Sequence, residues 1–264
     1  MIKVSGLEVV FRRGTPLEKR ALRGVDLTFE KGEFVCVIGS NGAGKSTLLS
    51  AIAGDVIPTG GRIEIDGIDV TRWPAAKRSG LVARVFQDPL CGSCADLTIE
   101  ENLALAMSRG KVRGLGPALT QGRRVTYRER VAELGLGLES RLKDKMGLLS
   151  GGQRQATSLL MATLAPSSVL LLDEHTAALD PGMAEFVIDL TKRVVAQQGL
   201  TTLMVTHSMS QALSVGTRTV MLHEGRVMFD VSGKERETLT MDDLIAKFRN
   251  VRGGPIDDDE LMIA

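Results

Sequence analysis

The sequence predicts an α/β fold with a mainly parallel sheet, an antiparallel β subdomain and an inserted helical subdomain. Three observations carry this. The continuously apolar run 34–38 reads as a strand buried on both faces, and a helical pattern follows it over 45–53. Apolar strand-like runs return at 169–172, 202–206 and 219–222. Between the two sets lies a long helical or polar stretch that matches neither strand period.

Taken in order, 4–11 and 21–29 read as strands flanking a polar loop that contains Pro16, and Lys31-Gly32-Glu33 turns the chain into 34–38. Gly54 ends the first helix, and 62–65 and 82–86 read as further strands. Thr98-Ile99-Glu100-Glu101 is a capping box that opens a helix toward Met107, and helical or polar sequence continues to about Leu164. A helix is expected across 183–196, and His223-Glu224-Gly225 is the turn of a hairpin into 227–229. The expected organisation is one domain over 1–264: a catalytic core of 1–88 and 165–250, a helical subdomain at 89–164 and an acidic tail at 251–264. The tail from Gly253, with Asp257, Asp258, Asp259 and Glu260, reads as a mobile end rather than a site.

Composition excludes several classes. Lys plus Arg number 33 against 32 for Asp plus Glu, a formal net charge of +1, which gives no support for bulk electrostatic binding to nucleic acid. No apolar run approaches the ~20 residues of a spanning helix, and residues 1–5 read as a strand rather than an export signal, so a cytosolic location is expected. The three cysteines do not suggest a disulfide framework. Cys36 belongs to the apolar run, and Cys91 and Cys94 form a C-x-x-C without the second ligand pair or βαβ start that metal or redox chemistry requires.

The residues that carry chemistry begin at Gly39-Ser40-Asn41-Gly42-Ala43-Gly44-Lys45-Ser46, which fills every fixed position of G-x-x-x-x-G-K-[ST] between a buried strand and a helix. Glycines let backbone N–H groups wrap an anion, and the helix that follows adds its N-terminal dipole. In this pattern Lys45 reaches the β and γ phosphates, Ser46 ligates Mg²⁺ and Thr47 adds a hydroxyl to the phosphates. The loop predicts a P-loop NTPase core, and alone it fits a GTPase, a kinase or a helicase equally. A second constellation narrows this: the apolar run 169–172 ends in Asp173, suited to the Mg²⁺ shell, and Glu174, placed to polarise an attacking water. Leu149-Ser150-Gly151-Gly152-Gln153 forms a second anion cradle, a hydroxyl and two glycine N–H groups at a helix start.

These three segments, in this order, resemble the ABC ATPase family, and the resemblance covers nearly the whole chain. It implies further roles. Gln87 looks like the glutamine that touches Mg²⁺ and the attacking water and relays nucleotide state to a membrane partner. Asp180, in Ala178-Leu179-Asp180, resembles the loop that crosses the dimer interface, and His207 resembles the histidine that contacts the γ-phosphate. Phe11 sits where the family places an aromatic that stacks on adenine. Two departures stand out: His175 follows Glu174 where the family has Pro, and Phe11 replaces the more frequent Tyr. The resemblance implies a head-to-tail homodimer that traps ATP and Mg²⁺ between the phosphate loop of one copy and Ser150 to Gln153 of the other. In it, Glu174 acts as base, and Lys45, Gln87 and His207 assist the attack of water.

The same resemblance implies membrane permease subunits docked just after Gln87, within 88–103, a substrate-binding protein, peripheral attachment at the cytoplasmic face of the membrane and no nucleic acid. Arg and Lys residues between 109 and 130 read as a solvated face. A soluble ABC ATPase of translation, DNA maintenance or iron–sulfur assembly is the alternative; in the family the translation type carries two ATPase units in one chain and the DNA-maintenance type a long coiled coil, and this sequence shows neither. Residues 39–45, 84–89 and 173–180 look like a bacterial importer group labelled for aromatic amino acids such as tryptophan or tyrosine.

Overall fold

A computed structural model describes residues 1–111, 114 and 116–252, with side chains through 247. The acidic run 257–260 lies outside the described residues. The described chain forms two compact units, Met1–Arg78 with the residues from Gly199 onward, and Ser79–Gln198. The second unit contains the expected helical segment together with two strands and a long helix on its C-terminal side.

The first unit opens with β1 (Ile2–Phe11), β2 (Lys19–Phe29) and β3 (Phe34–Ile38), followed by α1 (Lys45–Ala53), β4 (Gly60–Ile65), β5 (Ile68–Asp69) and α2 (Ala75–Arg78). The second unit holds β6 (Val82–Val85), α3 (Ile99–Met107), α4 (Gln121–Ala132), α5 (Gly151–Leu164), β7 (Val169–Asp173) and α6 (Pro181–Gln198). The chain then returns to the first unit with β8 (Thr201–Val205), α7 (Met209–Val215), β9 (Arg218–His223), β10 (Arg226–Ser232), α8 (Gly233–Thr238) and α9 (Met241–Arg252). The sequence pattern did not separate α4 from its surroundings and did not reveal α7 to α9. Helices α7 and α8 are short and α4 is strongly polar, so their periodicity is weak, whereas α9 carries apolar residues at 241, 244, 245, 248 and 251, a helical spacing present in the sequence.

In the first unit an antiparallel sheet runs β2-β1-β4-β5. Ile2, Val4, Leu7 and Val9 of β1 are buried, and the alternation slips one residue at Gly6, where the register shifts on both flanking strands. A mixed arrangement places β3 in parallel register with both β8 and β9, while β10 returns antiparallel to β9. All five residues of β3 are buried, as expected for a strand flanked on both edges and covered on both faces. In the second unit β6 and β7 are parallel, with Val85 opposite Leu172.

Two helix ends are held in ways that position the site. Gly54 ends α1 in the left-handed conformation, and its N–H donates to Ser50 O. The fully buried Arg78 guanidinium then donates to the carbonyls of Ala51, Ile52, Thr71 and Trp73, satisfying last-turn carbonyls of α1 with a cation at its negative pole. In the second unit the expected capping box of α3 is present: Thr98 N donates to Glu101 Oε2 at 2.7 Å and Glu101 N donates to Thr98 Oγ1 at 3.3 Å. Ile99, Leu103, Tyr127, Val131 and Met146 form the helical core of this unit.

Candidate functional site

The phosphate loop connects β3 to α1 entirely within the first unit. Gly44 stands at the start of α1 with φ of 105°, a left-handed conformation that a side chain would strain, and offers no side-chain cap. Gly39, at φ of 146°, passes so close to Leu222 O of β9 that a Cβ there would collide with it. Ala43 O accepts from Gly225 N at 2.9 Å, which pins the loop to the β9–β10 turn. Lys45 is buried, and its Nζ donates to Gly39 O at 2.6 Å and Ser40 O at 3.1 Å, folding the ammonium back along the loop. Asn41, Gly42 and Ser46 are exposed and Thr47 is half-buried.

Two more expected residues belong to this unit. Phe11 ends β1, pairs with Lys19 and is 39% exposed, so its ring is a surface group and not part of the core. His207 follows β8 and is half-buried. The preceding Thr206 is fastened to β3 by its N–H to Val37 O at 3.3 Å, and its hydroxyl donates to Gln211 Oε1 at 3.0 Å.

In the second unit Asp173 closes β7 and accepts from Arg84 Nη2 on β6 at 2.7 Å. Glu174 follows in the left-handed region at φ of 46°, unusual for a non-glycine residue, and is half-buried. This twist turns the chain out of the strand, so that Asp173 and Glu174 do not simply alternate across a sheet. His175 points inward: its Nε2 lies 3.1 Å from Thr191 Oγ1 of α6. Gln87 is exposed two residues beyond β6. Asp180 caps α6, its Oδ1 accepting from Met183 N at 3.0 Å.

Ser150 caps α5. Its Oγ accepts from Gln153 N at 3.3 Å while Gln153 Oε1 accepts from Ser150 N at 3.2 Å, a complete capping box. Gly151 is exposed and Gly152 buried. The S-x-x-Q spacing of Ser150 and Gln153 encodes this box. Two further residues were not anticipated. Gln155, buried one turn along α5, donates to Phe86 O at 3.3 Å and so ties this helix to the backbone just before Gln87. Arg154 donates to Gly147 O at 3.1 Å and Leu149 O at 2.8 Å, holding the loop that enters the helix.

The residues present suit a magnesium nucleotide. Ser46, Gln87 and Asp173 offer hydroxyl, amide and carboxylate oxygens, the hard donors Mg²⁺ takes.

The family model described as ABC transporter matches residues 22–177, more than half of the chain. The chain belongs to the ABC transporter family. It is an ABC-type ATP-binding subunit with ATPase activity. Among ABC relatives, it is 43% identical to a tyrosine transport ATP-binding protein of Clostridioides difficile, over 94% of this chain and 98% of the relative. It is 36% identical to the thiamine import ATP-binding protein ThiQ of Shigella flexneri, over 81% of this chain and 86% of that protein. Its fold matches the ABC cassette MJ0796, solved as a dimer in a post-hydrolysis state with ADP and Pi. The TM-score is 0.76 at 30% identity, covering 88% of this chain and 98% of the cassette. Among the described residues, no helix is long and apolar enough to cross a membrane.

Proposed function

We propose that this chain powers an importer, coupling ATP-driven closure of a homodimer to uptake of a small solute through separate permease subunits. The observation that carries this reading is a full-length likeness to a tyrosine transport subunit, in a chain holding every element of the ATP site. The likeness to a thiamine import subunit supports import over export. The higher identity to the tyrosine relative favours an aromatic amino acid as cargo.

Each role follows from the residue's place in the motifs shared with the family. Phe11 stacks on adenine with its exposed ring. Gly39, Ser40, Asn41, Gly42, Ala43 and Gly44 present backbone N–H groups to the phosphates, and Lys45 leaves its two loop carbonyls to meet the β and γ oxygens. Thr47 adds a hydroxyl. Ser46, Asp173 and Gln87 hold Mg²⁺, which when bound neutralises phosphate charge. Glu174 receives the proton of the attacking water, Gln87 and His207 orient that water and the γ-phosphate, and oxygen attacks phosphorus in line as the bond to ADP breaks. Ser150, Gly151, Gly152 and Gln153 serve the nucleotide of the partner copy, and Asp180 lies at that dimer interface. The helical subdomain 89–164 docks the permease through 88–103. The Gln155 contact with the backbone before Gln87 supports a mechanical link between these segments. A substrate-binding protein completes the importer, placed at the cytoplasmic face of the membrane.

Affinity capture of the tagged chain from detergent-solubilised membranes of the native host tests the reading. Recovery of a polytopic permease is expected, with ATP turnover of the complex raised by tyrosine-loaded binding protein. Recovery of ribosomes or a soluble scaffold in its place overturns transport, and stimulation by thiamine overturns the cargo.

A further inference from the structure

Arg84 and Asp173 sit on neighbouring parallel strands, β6 and β7, in a register that sets Arg84 opposite Leu171 and Val85 opposite Leu172. Their side chains meet at 2.7 Å, Nη2 of Arg84 donating to Oδ2 of Asp173. Both are largely withdrawn from water, with side chains 13% and 12% exposed. The guanidinium carbon also lies 4.7 Å from the centre of the Phe86 ring, a cation–π contact that restrains the group. An ion pair so placed differs from a surface salt bridge, because solvent screens it little and removing one partner leaves the other charge exposed to a low dielectric.

We infer that Arg84 is the resident counter-cation of the metal-binding aspartate, and that it keeps divalent ions off the nucleotide-free protein so that metal enters only together with ATP. The inference rests on the reading of Asp173 as a Mg²⁺ ligand. Arg84 offsets the charge of Asp173, and a bare divalent cation approaching that carboxylate meets an immobile positive charge a few ångströms away. A nucleotide triphosphate brings enough negative charge to reverse that balance. Arg84 is a positioning residue, since it acts on the metal through Asp173. Its planar fork stacked on Phe86 explains why arginine serves this position better than a mobile lysine.

Mn²⁺ binding to the nucleotide-free protein, read as loss of the free-ion signal in electron paramagnetic resonance, tests this without turnover. Arg84→Gln is expected to bind Mn²⁺ about tenfold more tightly than wild type, and Arg84→Lys to remain near wild type. Adding Asp173→Asn to Arg84→Gln is expected to abolish the gain. An Arg84→Gln affinity within about twofold of wild type overturns the proposal. Arg84→Met, which keeps the packed stem, is read the same way should the glutamine variant not fold. Asp173→Asn alone isolates the underlying reading: if Mn²⁺ strengthens ATP binding equally in wild type and Asp173→Asn, then Asp173 is not the ligand, whatever Arg84 does.

Discussion

Gly152 and Met183 touch: a Cβ on Gly152 would lie 2.5 Å from Cε and 2.8 Å from Cγ of Met183, on the first turn of α6. The second glycine of the cradle at the head of α5 is therefore small because a methionine occupies the adjacent space. Gly152→Ala should force α5 and α6 apart, costing about 1–3 kcal/mol in stability and lowering ATP-dependent dimer formation. Met183→Ala in the same chain should restore most of both, because the methyl then has room. Denaturant unfolding and size-exclusion chromatography with ATP measure the two effects, and equal loss in the single and double variants would refute the contact as the cause.

Glu174 holds φ of 46°, a conformation that Glu and Gln tolerate equally, so Glu174→Gln removes the proposed base without altering the turn. The variant should bind ATP as wild type does, accumulate as a dimer and hydrolyse at least about 100-fold more slowly. Phosphate release alongside chromatography checks this. Hydrolysis at the wild-type rate would remove Glu174 from the mechanism.

His175 introduces a pH dependence that the proline usual at this position would lack. The Thr191 hydroxyl donates its single proton to Val187 O at 2.7 Å, so His175 Nε2 is the protonated ring nitrogen and donates to Thr191 Oγ1. Burial pushes its pKa from 6.5 down to about 4. A lowered folded-state value means that the unfolded chain takes up a proton first as pH falls. Full stability is therefore present above pH 6.5 and is lost as pH drops toward 4, by about 2 kcal/mol at pH 5. Unfolding free energies measured between pH 7.5 and 5 should show this slope in wild type and lose that share of it in His175→Gln.

Arg78 bonds four backbone carbonyls from a fully buried position. Arg78→Met should leave those carbonyls without donors and destabilise the chain by about 3 kcal/mol or more. Arg78→Lys, with a compact ammonium that cannot reach all four, should lie between the two. The midpoint of guanidinium unfolding reports the order, and a methionine variant as stable as wild type would show that the cap is dispensable.

Much of the scaffold was legible because its signals are local. The run 34–38 was bounded to the residue, since an unbroken apolar stretch ending in Gly39 leaves no choice of edge. The α3 capping box and the α1 start were equally clear, each encoded within four residues. The strand over 202–206 was placed one residue late, because Thr206 continues the β-branched pattern but turns away to bond Gln211. Arg84 was unreadable as a partner of Asp173, since 89 residues separate them and only the register of β6 on β7 brings them together.

By itself the sequence determined the phosphate loop, the acidic strand end and the Ser150 turn, hence the ATPase family. Each is a run of residues whose backbone conformation and hydrogen bonds close within a single turn or strand end. Tertiary structure alone decided what surrounds them: Arg84 on Asp173, Thr191 on His175, Met183 against Gly152 and Gln155 on the backbone of Phe86. Such contacts depend on how strands and helices distant in sequence are registered and packed, and no local period records that.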